Sequence, residues 1–142
     1  MTPVIETRLR ARYAETDKMG VVYYANYYVW MEVGRVELCK ACGFNYRDME
    51  IEDGIFLAVA SAECRYRYPA RFDDEVIIKT WISEANPRIA VFAYEMRLAE
   101  GDRVLATGST RHIFVSREMR PTRLPKKYHP LFGIASTAAQ TT

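Results

Sequence analysis

Only one stretch of this chain repeats its apolar residues at helical spacing, and nearly everything else alternates with period two. From about Ala25, the residues Tyr27, Trp30, Met31, Gly34, Leu38 and Ala41 recur at three- and four-residue steps, which marks one apolar stripe of a helix. Glu32, Arg35 and Lys40 lie mainly off that stripe, and Gly43 offers a left-handed cap where it ends. The pattern predicts about five turns over roughly 18 residues at 3.6 per turn. A lone helix with an apolar stripe has no second helix to bury it, so a sheet must cover it.

The rest of the sequence supplies that sheet. Ile5, Thr7, Leu9, Ala11 and Tyr13 alternate with Glu6, Arg8, Arg10 and Arg12, a strand with one solvated face. Residues 56–68 set Ala58, Ala60, Ala62, Cys64, Tyr66 and Tyr68 against Ser61, Glu63, Arg65 and Arg67, and Pro69 stops the run. Val76, Ile78, Thr80 and Ile82 form one face of the next strand, which ends at Asn86-Pro87. Ala90, Phe92, Tyr94, Met96 and Leu98 form one face of another, and Glu100-Gly101-Asp102 turns it into a last strand from Val104 to Val115. Short connections predict antiparallel pairing. The order of one strand, one long helix and four strands leaves one economical arrangement: an α+β domain whose antiparallel sheet of about five strands curls around the helix. Trp81, Leu57 and Val59 are expected on the sheet's other face, where a second copy of the chain would cover them. Pro121, Pro125 and Pro130 predict one short helix near the end. The domain is expected over residues 1–134, with a flexible tail at 135–142.

Composition narrows the function. The 142 residues are 49% apolar and 27% charged, enough for one buried core and wrong for a disordered or collagen-like chain. Twenty Lys and Arg against eighteen Asp and Glu leave +2, which points away from nucleic acid and anionic lipid. The interleaved Arg65-Tyr66-Arg67-Tyr68 does not reverse this, because alternation puts arginines and tyrosines on opposite faces and spoils a stacking platform. No apolar run approaches the roughly 20 residues of a membrane helix. Glu6, Arg8 and Arg10 interrupt any apolar leader, so a reduced, cytoplasmic protein is expected. Cys39 and Cys42 fall within the helix without a second ligand pair and Cys64 stands apart; all three read as core-edge thiols, with no metal and no cofactor.

Few residues are free for chemistry. Asp17 lies in the polar loop Glu15-Thr16-Asp17-Lys18-Met19-Gly20, one short segment before the helix. A carboxylate there sits near the unpaired N–H groups of the helix start; capping its own turn is its simpler role. No Gly-x-Ser-x-Gly elbow is present. His112 shares a strand face with Thr110 and Phe114 and reads as a structural core residue; His129, between Tyr128 and Pro130, reads as a surface residue.

The run Tyr13-Ala14-Glu15-Thr16-Asp17-Lys18-Met19-Gly20-Val21-Val22-Tyr23-Tyr24-Ala25-Asn26-Tyr27, followed by Glu32 and Arg35, by 66–74 (Tyr66-Arg67-Tyr68-Pro69-Ala70-Arg71-Phe72-Asp73-Asp74) and weakly by 120–125, resembles the 4-hydroxybenzoyl-CoA thioesterase family of hotdog-fold proteins. The resemblance implies that the sheet wraps the long helix, that Asp17 is catalytic, and that the sites of a homodimer or homotetramer lie between subunits. Many members carry His where this chain has Tyr24, so no histidine role transfers. The implied reaction is hydrolysis of an acyl-CoA thioester. Asp17 would act as general base or as nucleophile, and the helix N-terminus near Tyr24 would donate to the oxyanion. Tyr23, Tyr24 and Tyr27 begin the helix with aromatic surface that suits an aryl or medium-chain acyl group, and Tyr23 and Tyr27 are the expected substrate contacts. With no glycine-rich phosphate loop, CoA would be held by basic side chains, Arg88 first because it opens a strand at a turn. The alternative is a hotdog acyl-CoA or acyl-carrier binding protein without useful hydrolysis; a binder has no need of a carboxylate at that helix start.

Overall fold

The computed structural model describes residues 2–44 and 46–135. Five strands form one antiparallel sheet: β1 (Ile5–Arg10), β2 (Phe56–Tyr66), β3 (Glu75–Ala85), β4 (Ile89–Leu98) and β5 (Val104–Val115), in the spatial order β1-β3-β4-β5-β2. The helix α1 (Asn26–Ala41) lies on its inner face, as the apolar stripe requires. A second helix, α2 (Tyr46–Asp53), follows it, and a 3₁₀ segment over Lys126–Phe132 supplies the short helix expected near the end. This is the hotdog arrangement, α+β with one long helix wrapped by the sheet. Residues 136–142 of the expected tail lie outside the described residues. No helix among the described residues is long and apolar enough to cross a membrane.

The core is built as the alternation predicts. Tyr27, Trp30, Met31 and Leu38 of α1 pack with Val76 and Ile78 of β3 and Phe92, Tyr94 and Met96 of β4, all nearly inaccessible to water. Two glycines let the layers meet. A Cβ on Gly34 would overlap Thr80 Oγ1 and stand 2.9 Å from Ile78 Cγ2; one on Gly108 would overlap the Met31 methyl and stand 2.7 Å from the Glu63 carbonyl oxygen.

Three expectations need correction. The alternation of residues 56–68 is not continuous: Val59 pairs with His112 and Ser61 with Arg111, leaving Ala60 as a bulge. The bulge switches parity, so Leu57 opposite Phe114 and Val59 opposite His112 face the helix side. Of the residues assigned to the outer face, only Trp81 stays there, half-buried, opposite Ala93. Second, α2 was not legible, because it buries only Met49 and exposes Ile51. Its end is held from outside: the Arg117 guanidinium donates to the Glu50 and Ile51 carbonyls at 3.2 and 3.0 Å, which suits a cation at a helix C-terminus. Third, His129 is buried rather than on the surface, its Nε2–H donating to the Leu124 carbonyl at 2.9 Å.

A polar chain crosses the core between α1 and β5. The Arg35 Nη1 donates to the Tyr94 hydroxyl at 3.1 Å, which shares a 2.7 Å bond with Thr110, and His112 Nε2 meets the same Thr110 hydroxyl at 2.8 Å. Burial, then the Arg35 charge, push the His112 pKa down to about 4, so the imidazole is neutral in the fold.

Two outcomes follow from this packing. Gly34→Val inserts atoms where Thr80 and Ile78 already sit, and the denaturation midpoint should fall by the equivalent of about 1–3 kcal/mol. For His112, the unfolded chain gains a proton below its ordinary pKa of 6.5 while the folded chain refuses it down to about 4. Stability should therefore fall as pH drops through that window. His112→Asn should flatten that decline in isothermal denaturation at pH 7 and pH 5.

Candidate active site

Three segments converge at the end of the sheet where β1 stops and β3 begins. After β1, a short 3₁₀ turn over Tyr13–Glu15 leads into the Asp17 loop. The loop closes on itself: the Asp17 N–H donates to the Val21 carbonyl at 2.9 Å, and the Gly20 N–H to the Asp17 carbonyl at 3.0 Å. Gly20 takes φ +80, which a glycine adopts without strain. Val21 then bridges to Arg71, and the Val22 N–H donates to the Ala70 carbonyl at 2.8 Å. The loop is thus tied to the 69–74 segment that precedes β3.

The half-buried Asp17 carboxylate divides its two oxygens. Oδ1 accepts the Met19 N–H at 2.8 Å, the turn-capping role the sequence allowed. Oδ2 has no partner among the described residues. Its charge reaches Tyr23, whose phenol is pushed above its ordinary pKa first by the hydrogen bond and charge of Tyr24 and least by Asp17.

Helix α1 begins without a side-chain cap and with no acidic residue in its first turn. The N–H groups of Asn26, Tyr27 and Tyr28 fold back onto the carbonyls of Tyr23, Tyr24 and Ala25 at 2.9, 3.3 and 3.1 Å. The Tyr24 N–H has no acceptor among the described residues, so the positive end of the helix is open to an incoming oxygen. The Tyr24 carbonyl is held by the Tyr66 hydroxyl at 3.0 Å.

Aromatic rings line the space alongside. Tyr66 stands edge-on to Tyr24 and Tyr27, with centroids 6.3 and 5.1 Å apart. Val22, Tyr27, Tyr66, Arg67, Tyr68 and Pro69 enclose a cleft of about 230 Å³. Tyr23 and Tyr24 are exposed, but Tyr27 is only 2% exposed and its hydroxyl accepts the Ala70 N–H at 3.1 Å. Its ring can form a wall of the cleft; its oxygen already holds the 69–74 segment.

Asp17, Tyr23, Tyr24 and Tyr27 therefore come together, and Arg88 does not join them within one chain. Asp17 follows the β1 end paired with Glu75, whereas Arg88 follows the far end of β3 at Ala85. The 11 residues of β3 separate these ends by roughly 33 Å at 3.3 Å per residue. Basic residues on the near side include Arg67 and Arg71, together with Arg12, Lys18 and Arg103, whose guanidinium stacks on the Tyr68 ring. The two imidazoles are engaged in the core at Thr110 and Leu124. Cys39, Cys42 and Cys64 are free thiols, and burial pushes Cys39 up to about 12.

Comparison with known proteins gives relatives of the whole fold. The Staphylococcus aureus DHNA-CoA thioesterase superposes with a TM-score of 0.84 at 35% identity, covering 97% of this chain and 91% of that one. YneP of Bacillus subtilis (strain 168) is 37% identical over 126 residues, 88% of this chain and 90% of its own. A 4-hydroxybenzoyl-CoA thioesterase shares the fold at 22% identity, with a TM-score of 0.83 over 91% of this chain and 98% of that one. The family model described as Thioesterase superfamily matches residues 19–106, starting just after Asp17. The chain belongs to the thioesterase superfamily.

Proposed function

We propose that this enzyme hydrolyses acyl-CoA thioesters, with Asp17 acting as general base or nucleophile and the Tyr24 N–H receiving the oxyanion. One observation carries the reading: on the loop just before the uncapped helix start stands a carboxylate whose second oxygen has no partner among the described residues, the Tyr24 N–H there has none either, and the cleft walled by Tyr27 and Tyr66 lies alongside that helix start. The acyl group would occupy the cleft, whose walls suit an aryl or medium-chain tail. As general base, Asp17 takes a proton from water while that water attacks the thioester carbon, and CoA leaves as the thiolate. As nucleophile, Asp17 attacks the same carbon, expels the thiolate and forms an anhydride that water then opens. Both routes place negative charge on the carbonyl oxygen, where a pre-aimed N–H is worth most.

A homodimer completes the reading. Strand β2 runs 11 residues at the sheet boundary and pairs only with β5, leaving a long edge that invites another strand. If two β2 strands pair antiparallel about a twofold axis, the Tyr66 end of one meets the Phe56 end of the other. Phe56 sits opposite Val115, next to Phe114, whose N–H donates to the Arg88 carbonyl at 3.2 Å. Arg88 of the partner subunit thereby comes to the same side as Asp17, where it can meet the CoA phosphates. The three free thiols suit the reducing cytoplasm as the place of work.

Asp17→Asn keeps the size and the turn while removing the charge, so the folded variant should lose most turnover in a free-CoA release assay. Near-normal turnover would sink the assignment. Active fractions should scatter light as a dimer or larger, against 16.4 kDa for one chain, and Arg88→Ala should raise KM about ten- to a hundredfold with kcat little changed. An unmoved KM would transfer the phosphate contact to Arg67 or Arg71.

A further inference from the structure

Glu15 carries a buried carboxylate that the proposed reaction does not use. It is 5% exposed, and a charge so far from water persists only when it is hydrogen-bonded. Oε1 accepts the Arg12 N–H at 2.8 Å and Oε2 accepts the Trp30 indole N–H at 3.0 Å, with the Arg12 guanidinium 3.5 Å from Oε2. The backbone carbonyl of the same residue accepts two further donors, the Asn26 side-chain amide and the Tyr23 N–H, each at 2.8 Å. One residue thus gathers the end of the strand, the segment before the helix, and the first two turns of α1.

These bonds bear on both reacting groups. Asp17 is two residues downstream of Glu15, on a loop with little apolar burial of its own. The Tyr24 N–H belongs to the Tyr23–Tyr24 peptide, fixed at one end by the Tyr23 N–H on Glu15 and at the other by Asn26 N–H on the Tyr23 carbonyl. The indole arm matters most, because Trp30 is 1% exposed and immobile in the core. It gives the loop a fixed reference in the helix.

We infer that Glu15 is a positioning residue, setting the separation of the Asp17 carboxylate and the Tyr24 N–H by clamping the loop to Trp30. The inference rests on the reading of Asp17 as the reacting carboxylate. The clamp needs two acceptor oxygens. A glutamine offers one and turns an NH₂ group toward a second donor, so one arm must break.

Glu15→Gln and Trp30→Phe test it beside Asp17→Asn. Trp30→Phe keeps an aromatic ring against Tyr27, whose centroid lies 5.0 Å away, and removes the indole donor together with some buried ring volume, so it carries the test through the split between kcat and KM should Glu15→Gln fail to fold. Both variants should lose kcat on the order of ten- to a hundredfold, as misplacement of reacting groups does, with KM within about twofold. The Met19 amide, held by Asp17 Oδ1, should exchange faster with solvent in both. A wild-type kcat below the unfolding temperature, with Asp17→Asn inactive, would overturn the positioning role alone. So would a parallel change in kcat and KM, the mark of a collapsed cleft. Turnover retained by Asp17→Asn would overturn the underlying reading and this one with it.

Discussion

Where α1 crosses β3, the helix backbone rests directly on sheet side chains with none of its own between, because the Thr80 and Ile78 side chains occupy the space a Cβ on Gly34 would need. That contact fixes the depth of α1 and therefore how fully Trp30, Met31 and Leu38 are buried. Each such side chain contributes about 1.5–3 kcal/mol on leaving water. The stripe thus locks the helix along its own axis. Its N-terminus is held at the end of the sheet where the Asp17 loop and the 69–74 segment arrive. The loop contributes almost nothing to the core and takes its rigidity from the helix through the bonds of Asn26 and Trp30 to Glu15, while Tyr27 holds the 69–74 segment.

Polar groups in this interior serve structure before chemistry. His112 joins Thr110, Tyr94 and Arg35 in one chain of bonds, and His129 closes the last turn through Leu124. The neutral His112 imidazole, buried in this way, can neither reach substrate nor exchange protons near neutral pH. Asp17 has the opposite situation: partly exposed, half engaged by its own turn, and next to the positive end of a helix. The division of labour proposed between imidazole and carboxylate follows from burial, not from intrinsic basicity.

The fold was legible because one helical stripe stood among strands of period two, whereas spacing alone left Asp17 as a turn cap and only the family resemblance put it forward for chemistry. Other features lack a local signature. Glu15 reads as a solvated loop residue until Trp30, fifteen positions later, is brought over it. The distance of Arg88 from Asp17 is set by the length of β3, and only pairing with β1 shows which end each occupies. Helix α2 hides because a single buried methionine makes no stripe. The bulge at Ala60 hides for another reason: Ala58, Ala60 and Ala62 are too small for alternation to tell one face from the other. His129 is flanked by Tyr128 and Pro130, both common at surfaces, and only the return of Leu124 encloses it.

The bulge at Ala60 also governs which changes of length the chain can absorb. A strand records faces as odd and even positions, so removing one residue inverts the assignment of everything on one side of the cut. Between Phe56 and Val59, the extra residue is what points Leu57 and Val59 toward the helix side while Ala62, Cys64 and Tyr66 keep the same side beyond it. Deleting Ala60 alone would turn one half of β2 inside out and set Tyr66, with its hydroxyl on the Tyr24 carbonyl, against the loss of Leu57 from the core. A compensated pair of changes, one on each side, would restore parity at both ends. Length variation in this strand should therefore arise in steps of two or move the bulge.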